Sequence, residues 1–311
     1  MNNKFKIKFR GVRGSYPTPK ANFLKYGGNT SCVEVKLGNK LVILDAGTGI
    51  VDLGVELVRE HILSSPNPNE REPIETTILL SHVHQDHIQG LQFFKPVFVL
   101  GSKINVFGLN INNEDLKDTL KDVLFDRVFP LGIDDVKCSF NIQNLNDSKV
   151  VVIKNNDNDA QIIDVSDFNP CDYTKDDVII TFYKTQAHPK NGCLCIKISY
   201  NNKVLVYATD KESYVGSDKR FIEFAYGCDV LIHDAQYTHQ DYVSPVAPKQ
   251  GYGHSTYQMA LESAKLSKAK KVLFFHYDPN YDDTTLDMLE EEFSNPEGGV
   301  DFAKEGMEVI L

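Results

Sequence analysis

Residues 82–87 read His82-Val83-His84-Gln85-Asp86-His87, and they follow directly on the apolar run 76–80. The chain has nine histidines in 311 residues, so three of them within six positions is a marked concentration. An apolar run that stops abruptly at ligand-type residues reads as a buried strand whose C-terminal end opens into a site. On an extended segment His82 and His84 point the same way. Asp86 and His87 then begin a turn and face the same hole from the other side. Imidazole and carboxylate in this arrangement suit two adjacent divalent ions. A histidine-rich surface loop is the alternative reading, but it gives no reason for the cluster to stand at the end of an apolar strand.

Four ligands do not close two catalytic sites, since each ion usually takes three or more protein ligands plus water. The remainder must come from other strand ends. Ala187-His188-Pro189 follows a strand-like run ending at Tyr183, Thr209-Asp210 follows the run 204–208, and His276 follows the run 271–275. Each alone is a weak signal, since a lone His or Asp at a strand end is more often a capping or surface group. Together they complete a coherent dinuclear site.

The rest of the chain interleaves strands and helices. Residues 5–10, 32–37 and 41–44 read as strands, residues 50–63 as a helix with Ile50, Leu53, Leu57 and Val58 on one side, and 64–73 as a surface loop. Further strands are predicted at 150–153, 178–183, 194–199, 204–208, 230–232 and 271–275, with helices at 113–123 and 255–268. The Asn/Asp-rich tract 155–159 reads as a hairpin tip or mobile loop. No linker divides the chain. The expected fold class is α/β, in the sense of a layered α+β or αββα body with its motif loops gathered at one edge. A single domain over residues 1–311 is expected, with an insertion or lid region at about 101–178, the least legible stretch.

Composition excludes several classes. Hydrophobic residues are 41% and charged residues 24%, as in ordinary globular chains, and no stretch approaches the roughly 18 apolar residues of a membrane span. The start alternates basic and apolar residues without the apolar segment of a signal peptide, so a cytoplasmic protein is expected. Six scattered cysteines fit reduced thiols, and Cys193 and Cys195 lack a second pair to complete a soft metal site. The net charge of −10 argues against long nucleic acids and leaves small anions, taken where metal ions reverse the local sign.

Several motifs carry a family resemblance. They are Arg13-Gly14-Ser15, Tyr26-Gly27-Gly28-Asn29-Thr30-Ser31-Cys32, Leu44-Asp45-Ala46-Gly47-Thr48-Gly49, the 82–87 cluster, His188-Pro189, Thr209-Asp210, Gly253-His254-Ser255-Thr256 and Phe275-His276-Tyr277-Asp278-Pro279. In this order they resemble the metallo-β-lactamase superfamily, on its ribonuclease Z-like phosphodiesterase branch, and within it a prokaryotic group of metal-dependent hydrolases. The resemblance implies a four-layer αββα sandwich of two central mixed sheets flanked by helices. It implies one metal on His82, His84 and His188, a second on Asp86, His87 and His276, and Asp210 between them. Zinc is the expected metal, and manganese or iron would accept the same ligands. Flavodiiron proteins of this fold place a glutamate where this chain has His84, which argues against redox chemistry. Many relatives are dimers, so a homodimer is among the expected assemblies.

Two ions sharing a carboxylate and a water lower the pKa of that water, so a bridging hydroxide is the expected nucleophile. His254 is the candidate proton donor, standing just before Ser255-Thr256-Tyr257-Gln258, a capping-box pattern; the same position is the general acid in ribonuclease Z-like enzymes. Asp234 is the expected carboxylate behind His254, and Asp86 counts both as a ligand and as a catalytic residue. Asp45 is expected to hold a loop or a ligand histidine rather than a metal, and His61, His233 and His239 to be structural or surface residues. The glycines of 26–30 read as a tight turn in preference to an anion cradle. The expected activity is hydrolysis of a small or short phosphodiester such as a cyclic nucleotide. No basic Gly/Pro-rich arm for gripping tRNA is visible. The competing activity is hydrolysis of a thioester or lactone on the same metal site.

Overall fold

The computed structural model describes residues 4–110, 114–126, 128–214, 216 and 218–311. Two sheets lie face to face. The first contains β1 (Phe5–Gly11), β2 (Cys32–Leu37), β3 (Lys40–Leu44), β4 (Glu75–Leu80), β5 (Lys103–Leu109), β6 (Ser139–Leu145) and β15 (Glu308–Ile310), in the order β15-β1-β2-β3-β4-β5-β6. The second contains β7 (Lys149–Ile153), β8 (Ala160–Asp164), β9 (Val178–Thr185), β10 (Cys193–Tyr200), β11 (Lys203–Ala208), β12 (Val230–Asp234), β13 (Val272–Phe275) and β14 (Val300–Phe302), in the order β14-β13-β12-β11-β10-β9-β7-β8. β3 to β6 pair in parallel, and so do β11 to β14.

Strand periodicity explains the layering. Along β3, Val42 and Leu44 join the core between the sheets, while Ile43 turns to the outer face. In β4 Leu79 faces inward, and Ile78 and Leu80 face outward. A strand buried on both faces has no polar side, which is why these runs are apolar throughout. The outer face of the first sheet is covered by α1 (Ile50–Ser64) through Ile50, Leu53 and Leu57, and by α3 (Leu116–Leu124) through Leu116 and Leu120. The outer face of the second packs on Phe221 of α4 (Lys219–Phe224) and Ala264 of α6 (Tyr257–Ser267). Between these helices in the chain lie the short α2 (Gln85–Ile88) and α5 (His239–Tyr242), and α7 (Asp283–Phe293) follows. The result is the αββα sandwich expected.

The stretch 101–178 supplies β5, α3 and β6 to the first sheet and β7 and β8 to the second. The expected helix start at residue 113 lies outside the described residues; α3 is capped by Asp115, whose side chain accepts from Lys117 N. Residues 155–159 form the β7–β8 hairpin tip, pinned by the buried Lys40, whose Nζ donates to Asn155 O and Asp157 O at 3.0 Å. The helix after His254 also differs from expectation. Its cap is Thr256, which accepts from Met259 N at 3.3 Å, while Ser255 Oγ accepts from Ser213 N at 3.0 Å and donates to Lys211 O at 2.6 Å. Among the described residues no helix is long and apolar enough to cross a membrane.

Candidate metal centre

The C-terminal ends of β3, β4, β11, β12 and β13 open at one edge of the sandwich, and every candidate site residue stands there or on an adjoining loop. Three of these strand ends break sharply. Asp45 (φ 60°), Asp210 (φ 49°) and His276 (φ 67°) all adopt the left-handed conformation within two residues of their strands' ends. Non-glycine residues pay for that conformation only where the surroundings over-determine it. It turns each side chain out of the strand's alternation and into the seam between the sheets.

From β4 the chain runs through Ser81 and the buried His82 to His84, which stays extended (φ −65°, ψ 153°) as the residue capping α2. That places Asp86 and His87 in the helix's single turn. The loop after β9 brings His188 across from the other sheet, its Nε2 3.0 Å from His84 Nδ1. Asp210 lies at the centre. Its Oδ1 is 3.1 Å from His87 Nε2 and 3.1 Å from His276 Nε2. Its Oδ2 is 3.6 Å from His82 Nε2 and 3.7 Å from His188 Nε2. Asp86 Oδ2 lies 3.2 Å from His276 Nε2 and accepts from Ser15 N at 2.7 Å. Three groupings of metal-ligand type result among the described residues, His82/His84/His188/Asp210, Asp86/His87/His276 and Asp210/Asp234/His254/His276, and none includes a cysteine.

The arrangement fits divalent ions. Donor atoms about 2.0–2.1 Å from a tetrahedral ion lie about 3.3 Å apart, close to the spacings here. His82 Nε2 is buried and lacks a hydrogen-bond partner among the described residues, although it faces the centre. The charges agree. Burial works against ionising Asp210, yet His276, His87 and His82 outweigh it and hold the carboxyl well below the usual range. Burial likewise disfavours a charged His87, but Asp210, Asp86 and Asp45 together raise its pKa well above the ordinary value. Three carboxylates therefore converge on one imidazole, a charge balance that a cation satisfies directly. His82 and His188 are pushed down chiefly by burial, His188 to about 4, which leaves them neutral as ligands must be.

Beside this centre His254 Nδ1 lies 2.8 Å from Asp234 Oδ2, and its ring stacks on His276 at 5.0 Å. Asp234 also accepts from the backbone N–H of Asp210, Gln236 and Ser255. Asp45 touches no part of the centre except through His87, whose Nδ1 donates to it at 2.8 Å. His233 is buried with Nδ1 against Asp234 O, His61 bonds Glu72 O, and His239 lies on α5, all away from the centre. In the 26–30 turn the Asn29 amide donates to the Glu305 carboxylate, so an internal group takes the place an anion would have.

Four supporting residues escaped the sequence reading. Ser81 and Tyr207 donate to Asp45, Gln236 Oε1 lies 3.0 Å from His276 Nδ1, and Glu212 accepts from Tyr242, Gly251 and Gly253. Ser81 and Gln236 had a usable signal, since each follows its strand within two residues. Tyr207 sits inside β11 and Glu212 in a loop, with nothing to mark either.

Residues 40–277 match the family description "Beta-lactamase superfamily domain". Ribonuclease Z of Picrophilus torridus is 26% identical, over 92% of this chain and 90% of that protein. The metallo-β-lactamase fold protein YhfI from Bacillus subtilis superposes with a TM-score of 0.63 at 19% identity, covering 99% of this chain and 100% of that one. A diphosphatase from the PhnP family gives a TM-score of 0.63 at 17% identity, covering 98% and 97%. At these identities the solved structures establish the fold. The chain is similar to ribonuclease Z, belongs to the β-lactamase superfamily, and is a metal-dependent hydrolase.

Proposed function

We propose that the protein is a dinuclear phosphodiesterase acting on a small or short phosphodiester, of which a cyclic nucleotide is one example. The observation that carries this reading is Asp210, whose two oxygens face two different histidine sets across the seam. One ion would be held by His82, His84 and His188 and a second by Asp86, His87 and His276, with Asp210 within reach of both. Zinc suits this donor set, and manganese or iron would be accepted. When bound, the two ions supply Lewis acidity toward a phosphoryl oxygen and lower the pKa of a water between them.

The chain's own groups do the rest. His254 donates a proton to the leaving oxygen. Its Nδ1 is committed to Asp234, so Nε2 is the nitrogen that faces substrate. Ser15 N fixes Asp86, which keeps a carboxylate at the edge of the second ion's site. The similarity to ribonuclease Z points to phosphodiesters, while the net charge of −10 favours a compact substrate over a long polyanion.

The test is metal content together with hydrolysis of bis(p-nitrophenyl) phosphate. Wild type is expected to hold about two equivalents of metal and to turn the ester over, with activity abolished in Asp210→Ala. Bound metal with no attack on the ester would move the assignment to thioester or lactone hydrolysis. A second variant probes one site alone. A Cβ on Gly14 would lie 2.4 Å from His276 Cε1, so Gly14→Ala is expected to displace that ring. Metal content should fall toward about one equivalent with an unchanged circular dichroism spectrum. Two tightly held equivalents in this variant would remove His276 from the ligand set.

A further inference from the structure

The segment between α5 and His254 is firmly built, and its purpose is not met by the metal centre. Both its ends are tied to the buried Glu212, which accepts from Tyr242 Oη at 2.6 Å, Gly251 N at 2.9 Å and Gly253 N at 3.0 Å. Within it Lys249 N donates to Tyr242 O, and Tyr252 N donates to Lys249 O. Lys249 Nζ is held over two rings, 5.8 Å from the centroid of Tyr237 and 5.5 Å from that of Tyr252, and no carboxylate pairs with it among the described residues. Tyr237 also stands edge-on to His254, with ring centroids 5.8 Å apart. Tyr252, two residues before His254, keeps 54% of its surface exposed.

A cation pinned by aromatic faces and lacking an acid is poised for an external anion. An exposed tyrosine beside it offers a face on which a planar base stacks. Both flank His254, the group that faces the leaving oxygen, so both lie on the leaving-group side. Resting on the phosphodiesterase reading, we propose that Lys249, Tyr237 and Tyr252 form a leaving-group subsite. Its preferred substrate is a short oligonucleotide whose departing nucleoside carries a second phosphate, rather than a cyclic mononucleotide with one phosphate. Lys249 takes the second phosphate and Tyr252 stacks on the base.

The experiment compares the dinucleoside monophosphate ApA with its two phosphorylated forms, pApA and ApAp. Product analysis identifies which nucleoside departs, and hence which isomer bears its extra phosphate on that side. That isomer is expected to show a kcat/KM about tenfold above ApA, carried by KM, with the advantage lost in Lys249→Ala and restored in Lys249→Arg. The advantage should also shrink as salt rises. Tyr252→Ala is expected to raise KM for all three, and Tyr252→Phe to leave it near wild type. Turnover of ApA with no preference for either phosphorylated isomer, or a Lys249→Ala loss equal on all three, overturns the subsite and leaves the phosphodiesterase standing. No turnover of ApA or of bis(p-nitrophenyl) phosphate would overturn the phosphodiesterase itself.

Discussion

His254→Ala is expected to lower kcat on a phosphodiester with an alkoxide leaving group by about 10²–10³-fold, and on bis(p-nitrophenyl) phosphate far less. An alkoxide cannot depart at neutral pH without a proton, whereas p-nitrophenolate can. His254 is equipped to give one. Burial lowers its pKa, but the Asp234 carboxylate at 2.8 Å outweighs burial, and with help from Asp210 raises the pKa to about 9. The Asp234 contact thus favours the protonated imidazole, with Nδ1 locked on Asp234. Parallel assays on the two esters decide the matter. An equal loss on both would mean that the histidine shapes the site without donating a proton.

Asp45→Ala is expected to lose about 3–5 kcal/mol of stability and to weaken metal binding about 10–100-fold. The carboxylate is fully buried and accepts four hydrogen bonds. Ser81 N reaches Oδ1 at 2.7 Å, while Ser81 Oγ, His87 Nδ1 and Tyr207 Oη reach Oδ2 at 2.9, 2.8 and 2.7 Å. Alanine would strand these donors in a place water cannot enter, and buried polar groups without partners are costly. Asparagine is expected to fare little better, since its NH₂ would confront donors on one side or the other. Tyr207 belongs to the second sheet and Ser81 to the first, so the same change loosens the seam on which the metal centre sits. Urea denaturation in chelator reads the stability, and competition with a fluorescent chelator reads the affinity. A denaturation midpoint close to wild type would show that the four donors find other partners.

Site residues were legible where chemistry follows an apolar run. His82, Asp210 and His276 could be named because each interrupts a pattern that packing alone would have continued. The left-handed backbone of Asp210 and His276 was not legible, since Asp and His visit that conformation more often than most residues but far from always. β6 was missed because Ser139-Phe140-Asn141-Ile142-Gln143-Asn144-Leu145 is an edge strand, exposed enough to be polar, and its Asn141 side chain bonds Asn105 of β5 instead of packing in a core. α7 was passed over although Asp282 caps it. Its acidic face reads as a solvated surface, but Asp283 accepts from the Lys25 and Tyr26 amides and Asp287 from Tyr26 Oη, contacts set by tertiary structure alone.

The position of the centre on the seam bears on how the protein comes apart. His82, His84, Asp86 and His87 extend from the first sheet, His188, Asp210 and His276 from the second, and Asp86 and His276 stand 190 residues apart in the chain. Contacts of that separation form only after the entropy of closing long loops has been overcome, late in folding. Ions held across such a seam would contribute nothing to the early search and would act as rivets once the sheets have met. Stripping them is therefore expected to speed unfolding while leaving the refolding rate nearly unchanged, so that the metal sets the lifetime of the folded chain more than the ease of reaching it.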